Sequence, residues 1–190
     1  MTYHYQRKGI AKLKAIATSV LDRFPDRRIG RAIDIEGIIE DLGVDILPRQ
    51  GFRRYAEGYL AADPRIIVVD ERIFTYLPRA RFTLAEEICH LILEYELWNN
   101  KELPLGGSCH ELTEEQHYAV ERDAKTLAAM ILMPDQEFES VFRDKVRELH
   151  AVGVKGSKAL SIARNHAAEE FQVSPMTAGY KALDLKLVQE

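Results

Sequence analysis

From residue 78 onward, apolar side chains recur at every third and fourth position, which commits the larger part of the chain to helices. Pro78 is placed for the first turn of a helix reaching about Glu94, with Phe82, Ala85, Ile88, Cys89, Ile92 and Leu93 on its apolar face. A long polar connection, Asn99 to His110, follows. Thr113 and Gln116 form a capping box that starts a helix through Leu132, and Met133-Pro134 ends it. Another helix spans about residues 135–150, Gly153 and Gly156 mark a linker, and two short helices follow at about 157–171 and 175–186.

The front of the chain mixes both periods. Ile10, Leu13, Ala17, Val20, Leu21 and Phe24 lie at helical spacing, and Pro25-Asp26 stop that helix. Asp34 is a good N-cap for a short helix with Ile35, Ile38, Ile39 and Leu42, and Gly43 sits where a left-handed C-terminal residue belongs. Val44–Leu47 reads as a strand ended by Pro48. Residues 57–61 and 65–69 read as a hairpin turned by Ala62-Asp63-Pro64. The expected class is therefore α+β: a small antiparallel sheet of about three strands packed on helices, with a helical C-terminal tail. Residues 1–150 form the main domain and 151–190 a small appended helical unit. The expected core is Ile38, Ile39, Ile67, Val69, Phe82, Ile88, Ile92, Leu127, Ile131 and Leu132.

Composition narrows the function classes. The 190 residues are 46% apolar and 29% charged, as in ordinary globular proteins. No apolar run approaches the ~20 residues that span a bilayer. The first eight residues hold no apolar leader segment, and two cysteines make no disulfide framework, so a reduced cytoplasmic location is expected. Net charge is −4, which disfavours bulk attraction to nucleic acid. It is unevenly spread: residues 1–31 carry +6 and the remainder −10. That basic end reads first as a solvated helix face and second as a surface for an acidic partner.

The chemistry converges on two helices. Glu86, Glu87 and His90 form E-E-x-x-H, in which residues 86 and 90 lie one turn apart on one face. That spacing offers two ligands to one metal, with the intervening Glu87 placed as a general base. Glu121, on the next helix, can supply a third ligand. His117, one turn before it, is a further candidate, with exposed surface as the plainer reading. Asp123 is two residues from Glu121 and cannot face the same way. Cys89 reads as a small buried hydrophobe. Cys109-His110 has the spacing of no zinc finger or ribbon. Arg49, Phe52, Arg53, Arg54 and Tyr55 form a basic aromatic stretch suited to gripping a partner at a cleft, or to a solvated loop.

The text around these residues is distinctive. RFTLAEEICHLIL, residues 81–93, resembles the R-F-T-L-A-H-E-L-G-H-L-L-L signature of the ImmA/IrrE family of zinc metallopeptidases. ERDAKTLAAMILMP, residues 121–134, is similar to that family's E-x-E-A-N-x-F-A-A-x-L-L-M-P segment. Ile33–Glu36 through Leu47 resembles its second helix and first strand, Glu57–Leu60 its hairpin, and Ala163–Leu187 the small helix-turn-helix-like unit that often follows. The resemblance implies a gluzincin-like core and a cytoplasmic regulatory endopeptidase. Its substrate would be a protein such as a DNA-binding transcriptional repressor, often one encoded beside the peptidase on a mobile element or in a stress regulon. It also implies zinc on Glu86, His90 and Glu121, with Glu87 as base.

Three departures alter that implication. Glu86 stands where the family has its first His, Cys89 replaces a Gly, and Lys125 replaces an Asn one turn after the third ligand. A second carboxylate ligand makes the metal less positive, so its water is less acidic. Without metal, Glu86, Glu87 and Glu121 would crowd like charges together, and Lys125 is placed to reach into them. Two readings follow: a zinc endopeptidase with atypical ligands, or a metal-free relative that binds a protein through the same cleft, with a Lys125 salt bridge in place of zinc. The tail from residue 151 carries five basic and four acidic residues. Its last helix is poor in long donors, so direct nucleic-acid reading is not expected.

Overall fold

The computed structural model describes residues 7–50, 57–61, 65–97 and 113–188. Helix α1 (Ile10–Arg23) buries Leu13, Ile16 and Ala17 against α4. A two-residue hairpin follows that the sequence reading does not anticipate. Strands β1 (Arg28–Ile29) and β2 (Ala32–Ile33) pair around Gly30-Arg31, with Gly30 at φ +63°. Asp34 then caps α2 (Ile35–Asp41), its carboxylate accepting the Gly37 N–H at 3.1 Å, and Gly43 turns the chain at φ +67°.

The main sheet has three strands in the order β3-β5-β4: β3 (Asp45–Arg49), β4 (Gly58–Ala61) and β5 (Ile66–Asp70). The α+β class holds, but the sheet is mixed. β4 and β5 form the expected antiparallel hairpin, whereas β3 pairs with β5 in parallel. β5 is buried along Ile67–Asp70 and so takes the centre, while β3 is half exposed and takes an edge. Pro48 does not end β3, which continues to Arg49. Asp45 donates to the Arg65 carbonyl at 3.0 Å, so residues 45, 47 and 49 face β5. The N–H that Pro48 lacks falls on the open side.

After a 3₁₀ turn (Glu71–Thr75) capped by Asp70, α3 (Leu77–Leu97) runs three residues past its expected end. The reciprocal Thr113–Gln116 box starts α4 (Glu114–Leu132) as the sequence predicts. Next come α5 (Asp135–Ala151), α6 (Gly156–Glu170) and α7 (Pro175–Asp184). Eight of the ten expected core residues are buried; Phe82 and Ile92 are partly buried and pack against the core. The last helices join the same core, with the Phe171 and Phe138 rings 5.7 Å apart. Asp135 holds Lys14 at 2.7 Å and the buried Lys181 at 2.5 Å, tying α1, α5 and α7 together.

Part of the uneven charge is met by ion pairs at the surface of the fold. Arg28 pairs with Glu137 at 2.8 Å and Arg31 with Glu170 at 3.3 Å, while Arg27 pairs with Asp41. With Lys14 on Asp135, four of the eight basic residues in 1–31 are thereby paired with carboxylates of the acidic remainder. Among the described residues, no helix is long and apolar enough to cross a membrane.

Candidate metal or cation centre

Helix α3 packs along α4 and under β4, and its E-E-x-x-H turn lies where the three elements meet. One ligand atom from each of Glu86, His90 and Glu121 lies within 4.8 Å of the others. His90 Nε2 is 3.4 Å from Glu121 Oε1. Ligand bonds of ~2.1 Å around a tetrahedral ion require donor separations of roughly 3.4 Å, which the His90–Glu121 pair meets, with Glu86 within 4.8 Å of both.

The same carboxylates face an ammonium. Lys125 Nζ is 3.5 Å from Glu86 Oε1 and 3.7 Å from Glu121 Oε2. Lys125 is one turn after Glu121 and so projects from the same face of α4. Its side chain is 55% exposed against 19% for Glu86, so the cation reaches in from the solvent side while the carboxylate is fixed within.

Burial dominates the electrostatics. It raises Glu86 above the ordinary carboxylate range, an effect opposed by Lys125. Glu87 is pushed up to about 8, first by burial and then by the neighbouring charges of Glu86 and Glu121. Burial lowers His90, with Glu121 acting the other way. At neutral pH the centre therefore holds a neutral imidazole, a largely protonated Glu87, and the carboxyls of Glu86 and Glu121 around one ammonium.

The other candidates separate. His117 is exposed on α4 and stays outside the three-residue group. Asp123 is buried on the opposite face, accepting the Lys8 backbone N–H at 2.7 Å, as its two-residue offset from Glu121 requires. Cys89 is fully buried, which pushes its thiol up. Arg49 is exposed at the end of β3. Phe52, Arg53, Arg54, Tyr55, Cys109 and His110 lie outside the described residues. A cavity of about 680 Å³ runs along α4 beside Glu114, His117, Tyr118 and Lys125, so the centre borders open space on that side.

Sequence reasoning missed the contribution of β4. A Cβ on Gly58 would come within 3.3 Å of Glu87 Cγ and Oε1, so β4 passes close over the Glu87 carboxyl. The lone glycine inside a strand-like run was the available signal for a close approach. Glu57, at the foot of β4, is gripped by Arg79 and accepts from Thr83 Oγ1 at 3.2 Å, which fixes the strand's other end to α3. Arg81 is buried and donates to the Ile33 carbonyl at 2.6 Å, linking α3 to β2.

A family model described as the IrrE N-terminal-like domain, a peptidase family, matches residues 33–183. No curated protein matches the chain. Among solved structures, a Mycobacterium tuberculosis transcriptional regulator superposes with a TM-score of 0.59 at 16% identity, over 89% of this chain and 46% of that one. This chain thus spans less than half the length of that regulator, and the likeness is one of fold.

Proposed function

Because the chain belongs to the IrrE N-terminal-like peptidase family, we propose that it is a regulatory protein whose peptidase cleft binds a protein partner, with the Lys125 ammonium standing where the family's zinc would stand. The observation that carries this is the position of Lys125 Nζ, 3.5 Å from the residue that replaces the first ligand and 3.7 Å from the third. The donor set fits zinc in spacing but not in charge. A divalent ion on these carboxylates would sit beside an ammonium already bound to both, and the two cations would repel. In its place, one lysine offsets the carboxylates without any metal, and the cleft keeps its shape.

A DNA-binding repressor is the partner this reading favours. The family resemblance supplies that class, and the solved neighbour is itself a transcriptional regulator. The chain's own tail is poorly equipped to read bases. α7 turns Met176 and Tyr180 outward, while Lys181 is buried on Asp135. The residues involved, and the absence of a membrane-crossing helix among those described, fit a cytoplasmic protein.

The second reading is a zinc endopeptidase with Glu86, His90 and Glu121 as ligands and Glu87 as general base. Donor spacing favours it. A photocrosslinking residue at Tyr118, exposed beside the cleft, separates the two in the native cell. The expected product is an adduct with a partner of full length, formed equally by the Glu87→Gln chain. A partner recovered as fragments, and left whole by Glu87→Gln, would establish cleavage. No adduct at all would remove the cleft from partner binding.

A further inference from the structure

Arg79, Thr83 and Glu87 follow one another at four-residue intervals, so they line one face of α3. The foot of β4 lies along that face. The Glu57 carboxylate accepts from Arg79 Nε at 2.8 Å and from Thr83 Oγ1 at 3.2 Å, both on its Oε2, while Arg79 Nη2 donates to Oε1. One residue on, the Gly58 backbone passes over Glu87, where an added Cβ would be 3.3 Å from Cγ and Oε1. Successive residues of the strand thus meet successive turns of the helix.

Glu57 is tied on two sides. Its backbone carbonyl accepts the Asp70 N–H at 2.8 Å, which carries the β4–β5 ladder one residue beyond the Gly58–Val69 pair. Its side chain grips α3. The two-pronged contact with Arg79 fixes direction as well as distance, and Thr83, on the same oxygen, is buried. Gly58 is left with little slack between the two layers: the same Cβ would be 3.2 Å from Cγ1 of Val69, which is fully buried in β5. Among the described residues no strand pairs with the other edge of β4, so nothing on that side holds it in place.

We infer that Glu57 is a positioning residue for the cleft: through its hydrogen bonds to Arg79 and Thr83 it seats β4 on α3 and keeps the strand wall in contact with the Glu87 side chain. Glu57 and Arg79 are both about half exposed, and such a pair adds little stability. What it contributes is the distance between wall and floor. This role is the same whether the cleft binds a partner or cuts it, so it does not rest on the proposed function.

Proton NMR on the full-length chain tests it. The missing Cβ of Gly58 points at Glu87, so one Gly58 α proton lies against the Glu87 γ protons and the unaltered chain should show a strong nuclear Overhauser effect between them. In Glu57→Ala that effect should be lost, while the Asp70 amide, bonded to the backbone carbonyl of residue 57, stays protected from hydrogen exchange. Glu57→Gln keeps one oxygen for both Arg79 Nε and Thr83 Oγ1 and should retain the effect. An unchanged effect in Glu57→Ala would overturn the inference. So would its loss in Glu57→Gln as well, or loss of Asp70 protection in Glu57→Ala, which would make Glu57 a support of the whole sheet.

Discussion

Glu86→His combined with Lys125→Asn should turn the chain into one that binds one zinc ion with sub-micromolar affinity, roughly −8 kcal/mol or better. The backbone geometry is already suitable, since the donor atoms at residues 86, 90 and 121 lie within 4.8 Å of one another. The double change restores a neutral imidazole as first ligand and removes the ammonium now 3.5 Å from it. Glu86→His alone leaves Lys125 on Glu121 and should take up little zinc. Lys125→Asn alone removes the competing cation and should bind zinc, but more weakly than the double variant, since Glu86 in place of an imidazole remains as first ligand. The two effects are coupled through shared contacts, so they should be strongly non-additive. Calorimetric titration of zinc into the metal-stripped variants reads the outcome. A folded double variant that takes up no zinc would show that something besides Lys125 and Glu86 keeps the metal out.

Raising pH from 6.5 to 8 should destabilise the unaltered protein by about 2 kcal/mol relative to Glu87→Gln. Glu87 stands at about 8 in the fold against an ordinary value of 4.5, because burial and two neighbouring carboxylates disfavour its charge. An acid raised in the fold binds more protons folded than unfolded between those two values. Its contribution is therefore complete below pH 4.5 and is lost as pH climbs through 8, by at most about 1.4 kcal/mol per pH unit. Burial lowers His90 from 6.5, which produces the opposite slope, but only below that pH. Burial also raises Glu86, so it slopes as Glu87 does, and the Gln variant keeps both of these and removes only Glu87. Denaturant unfolding of the two chains across this window gives the difference directly. Parallel curves would mean that Glu87 is already ionised at neutral pH, as beside a bound metal cation.

What the sequence revealed tracks how local each cause was. Asp34, Gly43 and the Thr113–Gln116 box act within one turn of chain, and each was legible from residue type alone. The sheet was legible as two strand-like runs and a third, but not as a mixed sheet. The parallel pairing of β3 with β5 depends on which strand the core buries, a property of the whole fold. Phe82 and Ile92 carry the right period and still sit at the rim of the core, because period fixes a face and not its depth. The juxtaposition of Glu86 with His90 followed from a one-turn spacing, and that of Lys125 with Glu121 likewise. Bringing the two helices together required tertiary packing, which only the family resemblance could suggest. The part played by β4 stayed hidden since it is a close approach of backbone to the Glu87 carboxyl, which no side chain announces. Gly58 alone hinted at it.

The central claim is that Lys125 takes the place of a metal ion. Elemental analysis of the protein purified without chelator, from cells grown with added zinc, tests it most directly. The account predicts far less than one equivalent of zinc, or of any other transition metal, per chain. One equivalent of zinc that disappears in Glu121→Ala would contradict it and return the chain to the working peptidases.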